Sequence, residues 1–268
     1  MEEQQLDHVS PDDLPFWSAA FGLALLDTIR FHPRMEVLDI GSGSGFPMLE
    51  VAGRLGSNSR VTGIDPDPVS ISLVEGKIRE RDITNAVIMK GQAEHLPFPD
   101  LWFDLVISNN GMNNVQDIEQ SFTECFRVLK AGGQMIFTVN LPHTFEEFYQ
   151  VFEAVLKHRG MHNEVAKKEE HIFEKRKPAR YLRDMAEETG FYVTSVRVDS
   201  FRYRFQDGNA FYRHYMIRNY FMPAWRAILP DGKADAVLSE TCDRLNRLAA
   251  ANGWIEMSVP FATFDLSK

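Results

Sequence analysis

Between Glu36 and Val139, short aliphatic runs alternate with amphipathic helical patterns, and this alternation constrains the fold more than any other feature of the chain. A strand covered on both faces reads as a continuous apolar run, and a parallel neighbour is reached only through a long crossover, usually a helix. Five runs qualify, namely Glu36-Val37-Leu38-Asp39-Ile40, Arg60-Val61-Thr62-Gly63-Ile64, Ala86-Val87-Ile88-Met89, the run from Phe103 to Ser108, and the run from Gln134 to Val139. Helical spacing falls between them from Phe46 to Leu55, Val69 to Arg81 and Asp117 to Leu129. Pro47 suits a first helical turn, Gly56 a stop, Pro66-Asp67-Pro68 a start, and Lys130-Ala131-Gly132-Gly133 the close of the third helix. The succession predicts an α/β protein with a doubly wound, mostly parallel sheet.

After Asn140 the rhythm changes. Thr144 to Arg159 has helical spacing, a charged stretch surrounds Lys167-Lys168-Glu169-Glu170, and Arg180 to Thr189 reads as a helix stopped by Gly190. Tyr192 to Phe205 is a long strand, Asn209 to Ala251 is helical with breaks at Pro223 and Pro230, and a last strand runs from Trp254 to about Phe264. The expected division is an N-terminal helical segment (1–35), a core (36–140) and a C-terminal part (141–268) that completes the sheet with strands at about 192–205 and 254–264.

The formal charge is 29 − 38 = −9, which argues against a surface that grips nucleic acid throughout. Cys125 and Cys242 stand alone, without a CxxC pair or a Cys/His cluster, so neither a thiolate metal site nor a disulfide framework is expected. The first residues lack the basic and apolar regions of a signal peptide, and Ala19 to Leu26 is too short to span a bilayer, so no membrane association and a cytoplasmic location are expected.

The sharpest local signal is Val37-Leu38-Asp39-Ile40-Gly41-Ser42-Gly43-Ser44-Gly45 at a strand-to-helix turn. Glycines let the backbone turn tightly and approach a ligand, and the helix that follows presents free N–H groups. A dinucleotide fingerprint needs glycine or alanine at the sixth position, where this chain has Phe46. An acidic residue, one spacer and Gly-x-Gly-x-Gly instead resembles the first motif of the class I S-adenosylmethionine-dependent methyltransferases. Asp65 at the end of the second strand, Gly91-Gln92-Ala93-Glu94-His95-Leu96-Pro97-Phe98, Phe103-Asp104-Leu105-Val106 and Leu129-Lys130-Ala131-Gly132-Gly133 extend the resemblance in order and spacing, with Ala131 where proline is more usual. The small-molecule branch that includes the ubiquinone/menaquinone-biosynthesis-type (methyltransferase type 11) group is the most similar.

The resemblance implies a seven-stranded Rossmann-like sheet and S-adenosyl-L-methionine as cofactor. Asp39, Gly41 and Gly43, with Ser42 beside them, would surround its methionine end; Asp65, followed by Pro66, its ribose; Gln92 and Ala93 its adenine; and Asn109 its sulfonium side. Asp65 also has an alternative reading as a cap of the helix that starts near Pro68. The N-terminal helix either lies over the cofactor cleft, with Trp17 and Phe21 walling the site, or packs an apolar stripe on the sheet. Insertions at about 141–177 and 207–252 would form a helical lid, as inserts do in this family.

The expected activity is methyl transfer to a small-molecule acceptor. The alternatives are a non-catalytic cofactor-binding protein of the same fold and an NAD(P)-dependent oxidoreductase. His143, after the fifth strand, and His214 are the candidate bases; a loop histidine is as readily solvated surface. His95 sits in the adenine-side loop. Ser108-Asn109-Asn110-Gly111 lacks the Pro-Pro that base- and glutamine-directed relatives carry there. Phe201 to Arg226 holds nine aromatics and five arginines against Asp207. Either this segment closes on an aromatic or anionic acceptor, or its aromatics dock helices while its arginines face water.

Overall fold

The computed structural model describes residues 15–268. Seven strands form one sheet in the order β3-β2-β1-β4-β5-β7-β6: β1 (Glu36–Ile40), β2 (Arg60–Asp65), β3 (Ala86–Lys90), β4 (Phe103–Asn109), β5 (Leu129–Asn140), β6 (Tyr192–Phe205) and β7 (Ile255–Ser267). β1 pairs in parallel with β2 (Val37 opposite Val61) and with β4 (Val37 opposite Leu105), so its apolar run is covered on both edges and both faces. β7 runs antiparallel to β5: Gly132 N–H donates to the Lys268 carbonyl at 2.9 Å, and Leu141 N–H to the Pro260 carbonyl at 2.9 Å. β6 closes one end of the sheet with a mostly exposed, charge-bearing edge that discourages further pairing.

The helices are α1 (Pro15–Thr28), α2 (Met48–Leu55), α3 (Pro68–Glu80), α4 (Ile118–Val128), α5 (Glu146–His158), α6 (His162–Lys175), α7 (Ala179–Thr189), α8 (Gly208–Arg213), α9 (Met222–Ala227) and α10 (Ala234–Asn252). The starts of α2 and β5 differ from the spacing for reasons of local structure. α2 begins at Met48 because Phe46 and Pro47 remain in the glycine turn, joined by a cis peptide bond. β5 begins at Leu129, five residues earlier than its apolar run, because Leu129 already pairs with Phe103. Residues Lys130 to Gly133 are therefore strand, with a register shift against β4, and not the close of α4.

The expected helical region from Asn209 divides further, with a π-helical turn (Ile217–Phe221) before α9, and Pro223 falls in the first turn of α9, where its missing N–H is harmless. In the charged stretch 167–170 of α6, Lys167, Glu169 and Glu170 are exposed while Lys168 is buried. Among the described residues no helix is long and apolar enough to cross a membrane.

Two compact units result. The first holds the described residues up to Val139 with Ala179–Val198 and Ala262–Lys268; the second is Asn140–Pro178 with Asp199–Phe261. The first is built on Val37, Met48, Val51, Val61, Val74, Leu105 and Ile136, all fully buried, while Phe137 stacks on Phe264 with centroids 4.4 Å apart. α1 is tied down at its end, where the Gln134 amide donates to the Thr28 carbonyl at 3.1 Å and to Asp265 at 2.9 Å. The second unit packs around aromatic rings: Trp225 and Phe211 are fully buried, and Trp225 stacks on Phe148 at 3.9 Å.

Candidate functional site

The glycine turn is held from below by main-chain bonds. Gly41 and Ser42 N–H groups both donate to the Ile64 carbonyl (2.9 and 3.1 Å), which fixes the end of β1 against the end of β2. Gly41 has φ +71°, and a Cβ there would meet Gly111 Cα at 3.2 Å, so both conformation and space require glycine. Gly43 also has a positive φ, but a Cβ on it would touch nothing within 4 Å. That side of the turn is open.

Two carboxylates converge on this turn. Asp65 accepts the Gly43 N–H at 2.9 Å on Oδ2 and the Asp67 N–H at 2.9 Å on Oδ1. The capping alternative for Asp65 is settled by its neighbour: Asp67 caps α3, accepting from the Val69 and Ser70 N–H groups at 3.1 and 3.0 Å. Each Asp65 oxygen thus keeps acceptor capacity beyond the bond that orients it.

Asp39 lies deeper, fully buried, and neither of its carboxylate oxygens has a hydrogen-bond partner among the described residues. The Ser42 hydroxyl, 3.1 Å away, donates to the Asp39 main-chain carbonyl instead. Burial pushes the Asp39 carboxyl up to about 7; the Ser42 side chain opposes the rise and the Asp65 charge adds to it. A buried acceptor pair left unsatisfied is rare in a folded chain and calls for a donor that the described residues do not supply.

The flanks follow from the strand ends. Asn109, at the end of β4, donates to the Ser18 carbonyl of α1 at 3.1 Å and accepts from the Thr138 hydroxyl at 3.0 Å. Gly22 of α1 packs on the Phe46 ring so closely that a Cβ would lie 2.1 Å from Phe46 Cε1. α1 is thereby docked on the glycine turn, with Phe21 fully buried and Trp17 half-buried edge-to-face against it at 5.3 Å. After β3, Gln92 and His95 bridge each other, Gln92 exposed and Ala93 buried. Glu94 accepts from the Gln116 N–H at 2.7 Å and so ties this loop to the start of α4. Pro66 is exposed between Asp65 and the cap.

The structure thus brings Asp39, Gly41, Ser42, Gly43, Asp65 and Pro66 to one place at the carboxyl ends of β1 and β2, where open α/β sheets bind ligands. His143 and His214 belong to the second unit. The His143 side chain is 73% exposed and 3.3 Å from Glu146, a solvated position. His214 is half-buried against Tyr203 and Phe205, its Nδ1 has no partner among the described residues, and burial lowers its pKa, so it is a neutral imidazole near pH 7. Within Phe201 to Arg226, Phe205, Phe211 and Trp225 are buried while Arg202, Arg204 and Arg226 are exposed. Arg202 and Arg204 share Glu256 at 2.9 and 3.0 Å, and Arg226 pairs with Asp235. Sequence reasoning passed over Gly111, where a Cβ would sit 2.7 Å from the Ile40 carbonyl oxygen; the turn dipeptide Asn110-Gly111 was its only signal.

A family model described as a methyltransferase domain matches residues 38–137. The demethylmenaquinone methyltransferase of Listeria welshimeri is 32% identical over 130 residues, 48% of this chain and 55% of that protein. The chain thus spans about half the length of the Listeria relatives it matches. The demethylmenaquinone methyltransferase of Lactobacillus johnsonii is 30% identical over 176 residues, 60% of this chain and 72% of that one. Among solved structures, the YcgJ protein of Bacillus subtilis superposes with a TM-score of 0.60 over 93% of this chain and 98% of its own, at 16% identity, a likeness of fold. With the acidic residue, glycine turn and second-strand carboxylate where that family's first motifs stand, the chain belongs to the class I S-adenosylmethionine-dependent methyltransferases, in the group that includes the demethylmenaquinone methyltransferases.

Proposed function

We propose that the protein transfers the methyl group of S-adenosyl-L-methionine to a small-molecule acceptor. The observation that carries this reading is the buried, unpartnered Asp39 carboxylate beside the open face of Gly43 and the oriented Asp65. The donor set fits the cofactor. Asp39 suits an ammonium group, and the two Asp65 oxygens suit a pair of vicinal hydroxyls. Gln92 and Ala93 are assigned to the adenine, Trp17 to the wall formed by α1, and Asn109 to the strut that holds α1 in place. When bound, the cofactor supplies a methyl group whose sulfonium leaving group is already activated by charge. The protein's contribution is then positioning and exclusion of water, with a base only where the acceptor has a proton to lose. For that role His214 is better prepared than His143, being neutral and desolvated.

Acceptor choice is assigned to the second unit, because the family match ends at residue 137 and that unit begins at Asn140. The relatives' names make a quinone-like ring one candidate acceptor. The two buried free thiols, Cys125 and Cys242, support a reducing, cytoplasmic setting. Calorimetry with S-adenosylhomocysteine and with NAD tests the reading. S-adenosylhomocysteine is expected to bind, and Asp65→Ala to weaken it at least about tenfold, equivalent to one lost charge-assisted pair of bonds. Binding of NAD alone would sink the proposal, and bound cofactor without turnover across an acceptor screen would leave a binding protein.

A further inference from the structure

Arg176, directly after α6, is a buried cation that the described residues leave without a carboxylate partner. Only 3% of its surface is exposed. Removing a guanidinium from water is expensive unless a carboxylate or several acceptors replace the lost hydration. The same unit shows the usual solution at Lys168, also 3% exposed, whose ammonium pairs with Glu153 at 2.5 Å and Glu169 at 2.6 Å. Among the described residues no carboxylate pairs with Arg176. Its guanidinium has one long bond, Nη1 to the Tyr149 hydroxyl at 3.4 Å, and lies 5.8 Å from the ring centroids of Tyr149 and Phe221.

The Tyr149 hydroxyl that accepts this bond is shared. The Tyr149 oxygen also accepts the Trp225 indole N–H at 3.0 Å, so with both lone pairs engaged its own proton is free to be donated. Phe221 is brought over the guanidinium at the end of the π-helical turn Ile217–Phe221, a rare local geometry that recurs at functional sites. A planar fork of N–H groups, a hydroxyl proton and two aromatic faces together suit a compact oxyanion.

We propose that Arg176 and the Tyr149 hydroxyl recognise a carboxylate or phosphate group of the small-molecule methyl acceptor, an assignment that rests on the methyltransferase reading above. This is a different place from the arginine-rich segment, whose Arg202, Arg204 and Arg226 are already paired with carboxylates. A reporter lies on α6, five residues before Arg176. His171 is held below its ordinary pKa by burial and then by the charges of Arg176 and Lys175, against Glu174. An anion seated on Arg176 cancels part of that repulsion and raises the His171 pKa.

The test titrates benzoate, phenyl phosphate and neutral benzamide into the full chain, with and without S-adenosylhomocysteine, by calorimetry and by imidazole NMR. One of the two anions is expected to bind at least about tenfold more tightly than benzamide, which is about 1.4 kcal/mol, and to raise the His171 pKa. The better of the two identifies carboxylate or phosphate. Arg176→Met is expected to abolish the preference while leaving the melting temperature unchanged or higher, since an apolar side chain removes an uncompensated buried charge. Arg176→Lys, which keeps the charge but not the fork, retains only part of it. Equal affinity for all three probes in the wild type, or an unchanged preference in Arg176→Met, overturns the proposal. Should Arg176→Met fail to fold, the wild-type comparison and Arg176→Lys still decide. Failure of S-adenosylhomocysteine to bind is read separately and bears on the methyltransferase assignment, while the anion arms run without it.

Discussion

Replacing Asp39 with asparagine changes how stability depends on pH, and the size of the change follows from burial. The carboxyl is fully buried with both oxygens unpartnered among the described residues, and its pKa rises from 3.8 to about 7. The folded state therefore holds this proton more tightly than the unfolded chain does. Stability falls as pH rises from about 4 toward 7 and levels off above, because there both states have lost the proton. At about 1.4 kcal/mol per unit, keeping the charged form buried costs roughly 4 kcal/mol, of which about 2 kcal/mol accrues between about pH 5.5 and 8. Asparagine does not titrate, so the stability of Asp39→Asn relative to wild type should climb by about 2 kcal/mol over that window. Urea unfolding of the ligand-free protein at several pH values measures this directly. Parallel pH curves for the two proteins would refute the reasoning, since the carboxyl would then be solvated or paired.

The same linkage predicts that S-adenosylhomocysteine binds more weakly below neutrality, with affinity falling about tenfold per pH unit as Asp39 must give up its proton to receive an ammonium; calorimetry across pH checks it, and flat affinity would argue against that contact. Gly43→Ala and Gly111→Ala should separate ligand space from structural space. The first meets nothing within 4 Å and costs about 1 kcal/mol of left-handed strain while weakening S-adenosylhomocysteine. The second drives a methyl against the Ile40 carbonyl and Ser108 hydroxyl at 2.7 Å each and should cost about 1–3 kcal/mol in thermal unfolding. Trp225→Ala, at the fully buried centre of the second unit's aromatic cluster, should lose about 3–5 kcal/mol, whereas Arg204→Ala, in an exposed pair with Glu256, should lose under about 1 kcal/mol in the same melts.

β1, β2 and β6 were legible almost to the residue because their signals are local: a two-sided apolar run ending in glycine or aspartate, and a long alternating run. The start of β5 was not, because Lys130-Ala131-Gly132-Gly133 has no strand propensity and is held extended by the pairing of Leu129 and Gln134 with β4 on either side and of Gly132 and Gly133 with Lys268. Asp65 and Asp67 are both plausible caps in one dimension; only the course of the chain after β2 assigns the cap to Asp67 and leaves Asp65 to the glycine turn. The positive segment from Phe201 drew attention by its charge, yet pairing with Glu256 and Asp235 accounts for three of its arginines. Arg176 drew none, since an arginine in a charged stretch looks like any solvated one.

Periodicity and the Asp39-to-Gly45 turn carry the fold and the cofactor class, since parallel strands, crossovers and a glycine turn impose their constraints between residues close in sequence. Which charges are compensated is decided by residues far apart along the chain. Asp39 is desolvated by the β1 contacts with β2 and β4, and Arg176 is enclosed by Tyr149 and Phe221, 27 residues before it and 45 after. Desolvation and the presence or absence of a counter-charge are properties of three-dimensional neighbourhoods, so the groups most telling about ligand chemistry emerge only once the chain is folded.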